Sequence, residues 1–119
     1  MDLKWDPFEP LTAEQREQLE RFQEQLLRFN QRVNLISPET EDDFRKRHLL
    51  HCLTLTVRDF PDGCTIVDWG TGGGLPAILL AICYPEVTIV GIDSVGKKSR
   101  AVRTIARRLG LENCFTWNG

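Results

Sequence analysis

The run Ile66-Val67-Asp68-Trp69-Gly70-Thr71-Gly72-Gly73-Gly74-Leu75-Pro76 holds the residues best suited to chemistry. An apolar stretch ends in an acid, a glycine-dense loop follows, and a proline suited to opening a helix closes it. A second apolar stretch, Val87-Thr88-Ile89-Val90-Gly91-Ile92, ends in Asp93. Together these read as strand, loop, helix and strand, arranged to hold a nucleoside. Glycines let a ligand approach the backbone, because no Cβ stands in the way. A helix N-terminus after the loop offers unpaired N–H groups to a polar or anionic group. An acid at the tip of the next strand is placed to accept hydrogen bonds from ribose hydroxyls. The plainer reading is an ordinary tight turn, but Gly70-Thr71-Gly72-Gly73-Gly74 is more glycine than such a turn needs.

The spacing narrows the kind of nucleoside. A dinucleotide loop takes glycine at the first, third and sixth positions. Gly70 and Gly72 meet the first two requirements, but the sixth position is Leu75. The third glycine normally allows close helix–strand packing, which leucine does not. The pattern Asp68-x-Gly70-x-Gly72-x-Gly74, with Asp93 downstream, instead fits S-adenosylmethionine (SAM). That molecule carries ribose, adenine and an amino acid, and no phosphate. Its site needs backbone approach and an acid for the α-amino group, a role suited to Asp68.

The elements that must position these groups fit a chain of 119 residues, the length of one domain with a modest core. Hydrophobic residues at 41% and charged residues at 27% are those of a soluble globular protein. No apolar run approaches the ~20 residues of a membrane span. The N-terminus lacks the layout of a secretory signal, so the expected location is the cytoplasm. Cys52, Cys64, Cys83 and Cys114 show no metal or disulfide spacing, and we read them as reduced and mostly buried. No metal is expected.

Along the chain, Pro7 and Pro10 oppose regular structure in an N-terminal arm. Thr12 and Gln15 form a capping-box pattern. Leu19, Phe22, Leu26, Phe29 and Val33 then lie on one face of a long helix, with Glu17, Glu20, Arg21, Glu24 and Arg28 on a solvated face. Asn34 to Pro38 break it, and a second helix is expected from near Thr40 to about Arg58. The first strand covers about Thr65 to Asp68. The helix from Pro76 is apolar almost all round and should be buried. The second strand covers Val87 to Asp93. Ser94 is expected to cap a helix running to Leu109, with Gly110 as its stop. A third strand is expected within Glu112 to Trp117. Right-handed crossovers give three parallel strands in the order 3-2-1. The division is a helical region at 1–60 and a nucleoside-binding unit at 61–119. In that order the first strand is an uncovered edge, which makes self-association plausible.

Charge is uneven. Residues 1–43 hold 11 acids and 5 Lys or Arg, whereas residues 44–119 hold 6 acids and 10 Lys or Arg. Lys97, Lys98, Arg100, Arg103, Arg107 and Arg108 share one helix with no acid among them. Lys97 and Lys98 sit in its first turn, where the helix dipole disfavours cations. A choice against local preference points to a phosphate partner. The bland alternative is a solvated helix, or one paired with the acidic first helix. Arg45-Lys46-Arg47-His48 forms a second basic cluster. His48 and His51 share a helix face, and a packed or solvated pair is the simpler reading than a metal site.

Four motifs resemble one family. Asn34-Leu35-Ile36-Ser37, Arg47-His48-Leu49-Leu50, Asp68 to Pro76, and Asp93-Ser94-Val95-Gly96-Lys97-Lys98 are similar, in order and spacing, to the bacterial small-subunit ribosomal RNA methyltransferase G family. That family was formerly called glucose-inhibited division protein B. The resemblance implies an α/β fold: an N-terminal helical arm plus the first half, βαβαβ, of a class I SAM-dependent methyltransferase doubly wound parallel sheet. It implies methylation of a guanine N7 in 16S ribosomal RNA of the 30S subunit. It further implies that Gly70, Gly72, Gly74, Leu75, Asp68, Asp93 and Ser94 bind the cofactor. Lys97, Lys98, Arg100 and Arg47 would meet RNA. Departures are His51-Cys52 for the family's Asp-Ser, Trp69 for its Val, and Ala77 for its Gly. Trp69 is bulky enough to reshape the cofactor pocket. The family also carries further strands, an adenine-contacting acidic segment and a later arginine, so this chain alone is expected to be a poor enzyme. The competing readings are a module binding SAM or RNA without turnover, and a nicotinamide oxidoreductase fragment disfavoured by Leu75.

Overall fold

The computed structural model describes residues 10–33, 35, 60–70 and 76–119. Among these, six elements follow in order: α1 (Ala13–Asn30), β1 (Thr65–Trp69), α2 (Ala77–Cys83), β2 (Thr88–Asp93), α3 (Gly96–Arg108) and β3 (Cys114–Asn118). The strands form a parallel sheet in the order β1-β2-β3. The expected helix at 40–58, His48, His51, Asn34 and Cys52 lie outside the described residues.

The start of α1 is fixed locally. Thr12 Oγ1 accepts from Gln15 N at 3.1 Å, and Gln15 Oε1 accepts from Thr12 N at 2.9 Å. This is the reciprocal capping box expected from the sequence. The helix ends at Asn30, three residues before the apolar stripe does. Val33 N still bonds Phe29 O at 2.9 Å, and Val33 still packs on the core from the turn beyond the helix. Asn30 is buried, and its Oδ1 takes the Leu35 N–H at 2.8 Å, tying the outgoing chain to the helix end.

Both crossovers put their helices on one face of the sheet, as right-handed connections in one direction require. On that face lie Ile66, Asp68, Ile89, Gly91, Cys114 and Thr116. Ala77, Leu80 and Ala81 of α2 pack there with Ile66, Ile89 and Cys114. The other side of α2, Ile78, Leu79 and Ile82, packs on Leu19, Phe22 and Leu26 of α1 and Val102 and Ile105 of α3. Lying between sheet and helix, α2 is buried from Ala77 to Ile82, which accounts for its all-round apolar sequence.

α1 also satisfies carbonyls at the ends of its neighbours, which have no partner within their own helices. Gln15 Nε2 donates to Ile82 O and Cys83 O at 3.1 and 3.4 Å. Gln18 Nε2 donates to Leu109 O at 3.4 Å, and Arg21 Nη2 to Arg108 O at 2.6 Å. Arg21 is therefore a helix-docking group rather than a purely solvated one.

The opposite face of the sheet is apolar and open. Trp69 is 75% exposed, Trp117 61%, Phe115 54% and Val67 47%. Ile92, between the two tryptophans in register, is buried. No helix among the described residues is long and apolar enough to cross a membrane.

Candidate cofactor and RNA site

Two adjacent strand tips carry the candidate residues that the structure describes. Register pairs Trp69 with Ile92, so Gly70 follows β1 beside Asp93 at the end of β2. Gly70 N donates to Ile92 O at 2.7 Å, which fixes the two tips together. Gly70 adopts φ +70°, a left-handed conformation that side chains resist, and the space where a Cβ would stand is open. The chain therefore turns off the strand with its backbone accessible, as a loop that admits a ligand must.

Asp93 is half-buried, and its Oδ1 accepts from Val95 N at 2.8 Å. This local turn is the Asp habit of bonding its own backbone two residues on. It orients the carboxylate and corrects the expected role of Ser94. Ser94 does not cap α3. Val95 holds the N-cap position without a side-chain cap bond, and the helix begins at Gly96. The Asp93 turn closes on Val95 N, and Ser94 stays exposed on it, one residue before the N-cap.

The same turn is held from behind. With its amide oriented to donate, Asn118 Nδ2 reaches Asp93 O at 2.9 Å and Ser94 O at 3.1 Å. Buried Ser99 donates from Oγ to Asp93 O at 3.4 Å. Sequence reasoning missed Asn118, because its relevance comes from pairing with Asp93 across β2 and β3. An added Cβ on Gly96 would meet Arg100 Nη1 at 3.2 Å and the Asn118 side-chain amide at 3.4 Å. The missing side chain lets the Arg100 guanidinium fold back beside the turn.

Asp68 lies on the helix-covered face, half-buried, paired in register with Gly91. Burial pushes the nearby Cys114 thiol up to about 11, and the charge of Asp68 adds to the push. Cys83 rises to about 12 by burial alone. These thiols are half-buried packing groups, as is Cys64. Trp69 points to the open face, opposite Asp68. Gly72, Gly74, Leu75 and Arg47 lie outside the described residues.

On α3, Lys97, Arg100, Arg103, Arg107 and Arg108 are exposed and Lys98 is half-buried, while Val102, Ile105, Ala106 and Leu109 pack inward as expected. Gly110 follows with φ +74° as the expected stop. Arg108 meets α1 through Gln25 Oε1 at 2.8 Å and the Phe29 ring at 5.3 Å, so one end of the basic helix is partly structural. Arg103 Nε donates to Thr116 Oγ1 at 3.2 Å. The first turn, with Lys97 and Lys98, follows directly from the Asp93 turn.

Comparison with known proteins decides the family. The family described as rRNA small subunit methyltransferase G matches residues 15–117. The chain belongs to the rRNA small subunit methyltransferase G family. It is 84% identical over 118 residues to the ribosomal RNA small subunit methyltransferase G of Salinibacter ruber, covering 99% of this chain and 55% of that protein. The protein of the same name from Christiangramia forsetii is 39% identical over 112 residues, covering 93% of this chain and 53% of its own length. That of Chlorobaculum tepidum is 40% identical over 105 residues, covering 87% and 48%. The chain thus spans about half the length of the curated relatives it matches. The methyltransferase G match covers all six elements but the first residues of α1 and the last of β3. Three parallel strands with helices on one face agree with a partial Rossmann-like methyltransferase fold.

Proposed function

We propose that this chain supplies the cofactor and RNA contacts of a bacterial cytoplasmic enzyme that transfers methyl from SAM to a guanine N7 of 16S ribosomal RNA in the small subunit. The observation that carries the reading is the junction of Gly70 and Asp93 at adjacent strand tips, tied by the 2.7 Å bond from Gly70 N to Ile92 O. An accessible glycine turn beside an oriented carboxylate suits a nucleoside without phosphate. Asp93 would accept the ribose hydroxyls. Gly70, with Gly72, Gly74 and Leu75, would line the amino-acid and sulfur end, with Asp68 serving the α-amino group. Ser94 would reach the nucleoside from the turn. SAM, when bound, supplies a methyl already made electrophilic by its sulfonium.

Guanine N7 presents a lone pair and no proton, so no general base is required of this chain. Its work is orientation, and an environment suited to charge passing to the purine. Lys97, Lys98, Arg100 and Arg47 would hold RNA phosphates, with Arg100 reaching back toward the cofactor turn. The first two begin the helix that leaves that turn, so phosphate contact and cofactor contact share one short stretch.

Among the described residues β1 is an edge strand, and the exposed apolar face beside it favours self-association of this chain, read by sedimentation. The test of function is incubation of the chain with methyl-labelled SAM and unmethylated 30S subunits. Label recovered as 7-methylguanosine is the expected result. SAM and RNA binding without transfer would make the chain a binding module. Tighter binding of reduced nicotinamide cofactor than of SAM would overturn the reading.

A further inference from the structure

The last turn of α1 and the last turn of α3 enclose a recess of about 210 Å³ lined by Arg28, Phe29, Arg32 and Arg108. Arg108 is pre-set there: its Nη1 donates to Gln25 Oε1 at 2.8 Å, and its guanidinium lies over the Phe29 ring at 5.3 Å. An amide and a ring fix the cation without neutralising it. Arg28 and Arg32 are exposed. The acids Glu20 and Glu24 of the same helix line a different recess, with Gln23 and Leu27. The helix dipoles favour Arg28 in the last turn of α1 and Arg108 in the last turn of α3, and leave Arg32, beyond the end of α1, outside that account. Three guanidinium groups around one hollow repel each other unless an anion enters. Guanidinium forks match phosphate geometry and stack on planar groups.

We propose that this recess seats a phosphate of the RNA backbone, extending the phosphate track from Lys97 and Arg100 along α3 and across to α1. The inference rests on the RNA reading above and adds a second, separate anchor to it. It makes the N-terminal helix part of the RNA-binding surface rather than only a support for α2 and α3.

The test is fluorescence anisotropy with a labelled single-stranded RNA oligonucleotide, titrated across salt concentrations. The full chain is compared with Arg28→Gln/Arg32→Gln and with Lys97→Gln/Lys98→Gln. The single Arg32→Gln variant, altered beyond the helix end, serves should the double variant fail to fold, with thermal melting as the fold check. Loss of two phosphate contacts should weaken binding on the order of tenfold and reduce the salt slope by about 1.4. Arg32→Gln alone should reduce the slope by about 0.7. Unchanged affinity and slope in the arginine variants, with weakened binding in Lys97→Gln/Lys98→Gln, would overturn the recess and leave the RNA reading standing. No salt-dependent binding by the unmodified chain would overturn both. Displacement of RNA by an equal concentration of polyglutamate would assign the recess to an acidic protein instead.

Discussion

The two ends of the sheet are built to opposite purposes. At the N-terminal ends of the strands, polar side chains are used up on backbone. Asn113 Nδ2 shares its two hydrogens among Ala81 O, Tyr84 O and Val87 O, at 3.1, 3.0 and 2.8 Å. Gly63 N bonds Glu86 O at 2.7 Å, and Phe60 meets Tyr84 edge to face at 5.0 Å. At the C-terminal ends stand Gly70, Asp93, Ser94 and Asn118, half-buried or exposed around an open turn. One end closes the fold and the other presents groups outward. On the proposed cofactor reading, the difference teaches that stability and cofactor contact are separable here by which end is altered.

The largest expected effect on stability lies at the closed end. Asn113→Ala should cost about 2–3 kcal/mol, since the buried Ala81 and Val87 carbonyls lose this donor and the Tyr84 carbonyl keeps only Val87 N–H. Urea denaturation measures it, and a loss below about 0.5 kcal/mol would mean that water replaces the amide freely. SAM affinity of the folded fraction should not change.

A glycine pair sharpens the contrast. Gly70 and Gly110 have φ +70° and +74°, and neither has an atom within 4 Å of an added Cβ. Alanine at either should cost about 1–2 kcal/mol from backbone conformation alone. Only Gly70→Ala should also weaken SAM binding. Equal effects of both variants on SAM affinity would break the comparison. Smaller still is the N-cap, where Thr12→Ala should lower stability by about 1 kcal/mol in thermal or urea unfolding.

The smallest effect at neutral pH belongs to the thiols on the helix-covered side. Folded Cys114 and Cys83 ionise at about 11 and about 12, against an ordinary value of 9.0. The unfolded chain releases these protons first, so their contribution is full below pH 9 and is lost as pH rises toward 11 and 12. Urea midpoints measured from pH 8 to 11 should fall, and less so in Cys114→Ala. A flat profile would contradict the burial argument.

Much of this was legible in the sequence because it is local. Capping at Thr12 and Gln15, the apolar α2, the stop at Gly110 and the strand-ending acids each depend on a few neighbouring residues. The strand order followed from connection handedness. What was not legible depends on register and docking. Ser94 was expected to cap α3, but the Asp93 turn through Val95 N carries the chain one residue further, so Val95 takes the N-cap position and the helix begins at Gly96. Asn118 matters through Asp93, its register partner on the neighbouring strand, 25 residues earlier in the chain. Arg21 reads as solvent-facing until α1 is laid across the ends of its neighbours. The α1 stripe ran past the helix end because Val33 packs inward from a turn as well as it would from a helix.

The central claim is that Gly70 and Asp93 form a SAM site. Calorimetric titration of SAM into the chain, with Asp93→Ala beside it, tests that most directly. The account predicts saturable binding that weakens at least tenfold in Asp93→Ala, the loss of a charge-assisted pair of hydrogen bonds worth about 1.5–3 kcal/mol, with stability lowered by only about 1 kcal/mol for the lost Val95 N–H bond. Equal SAM affinity in both, with both folded, would contradict it.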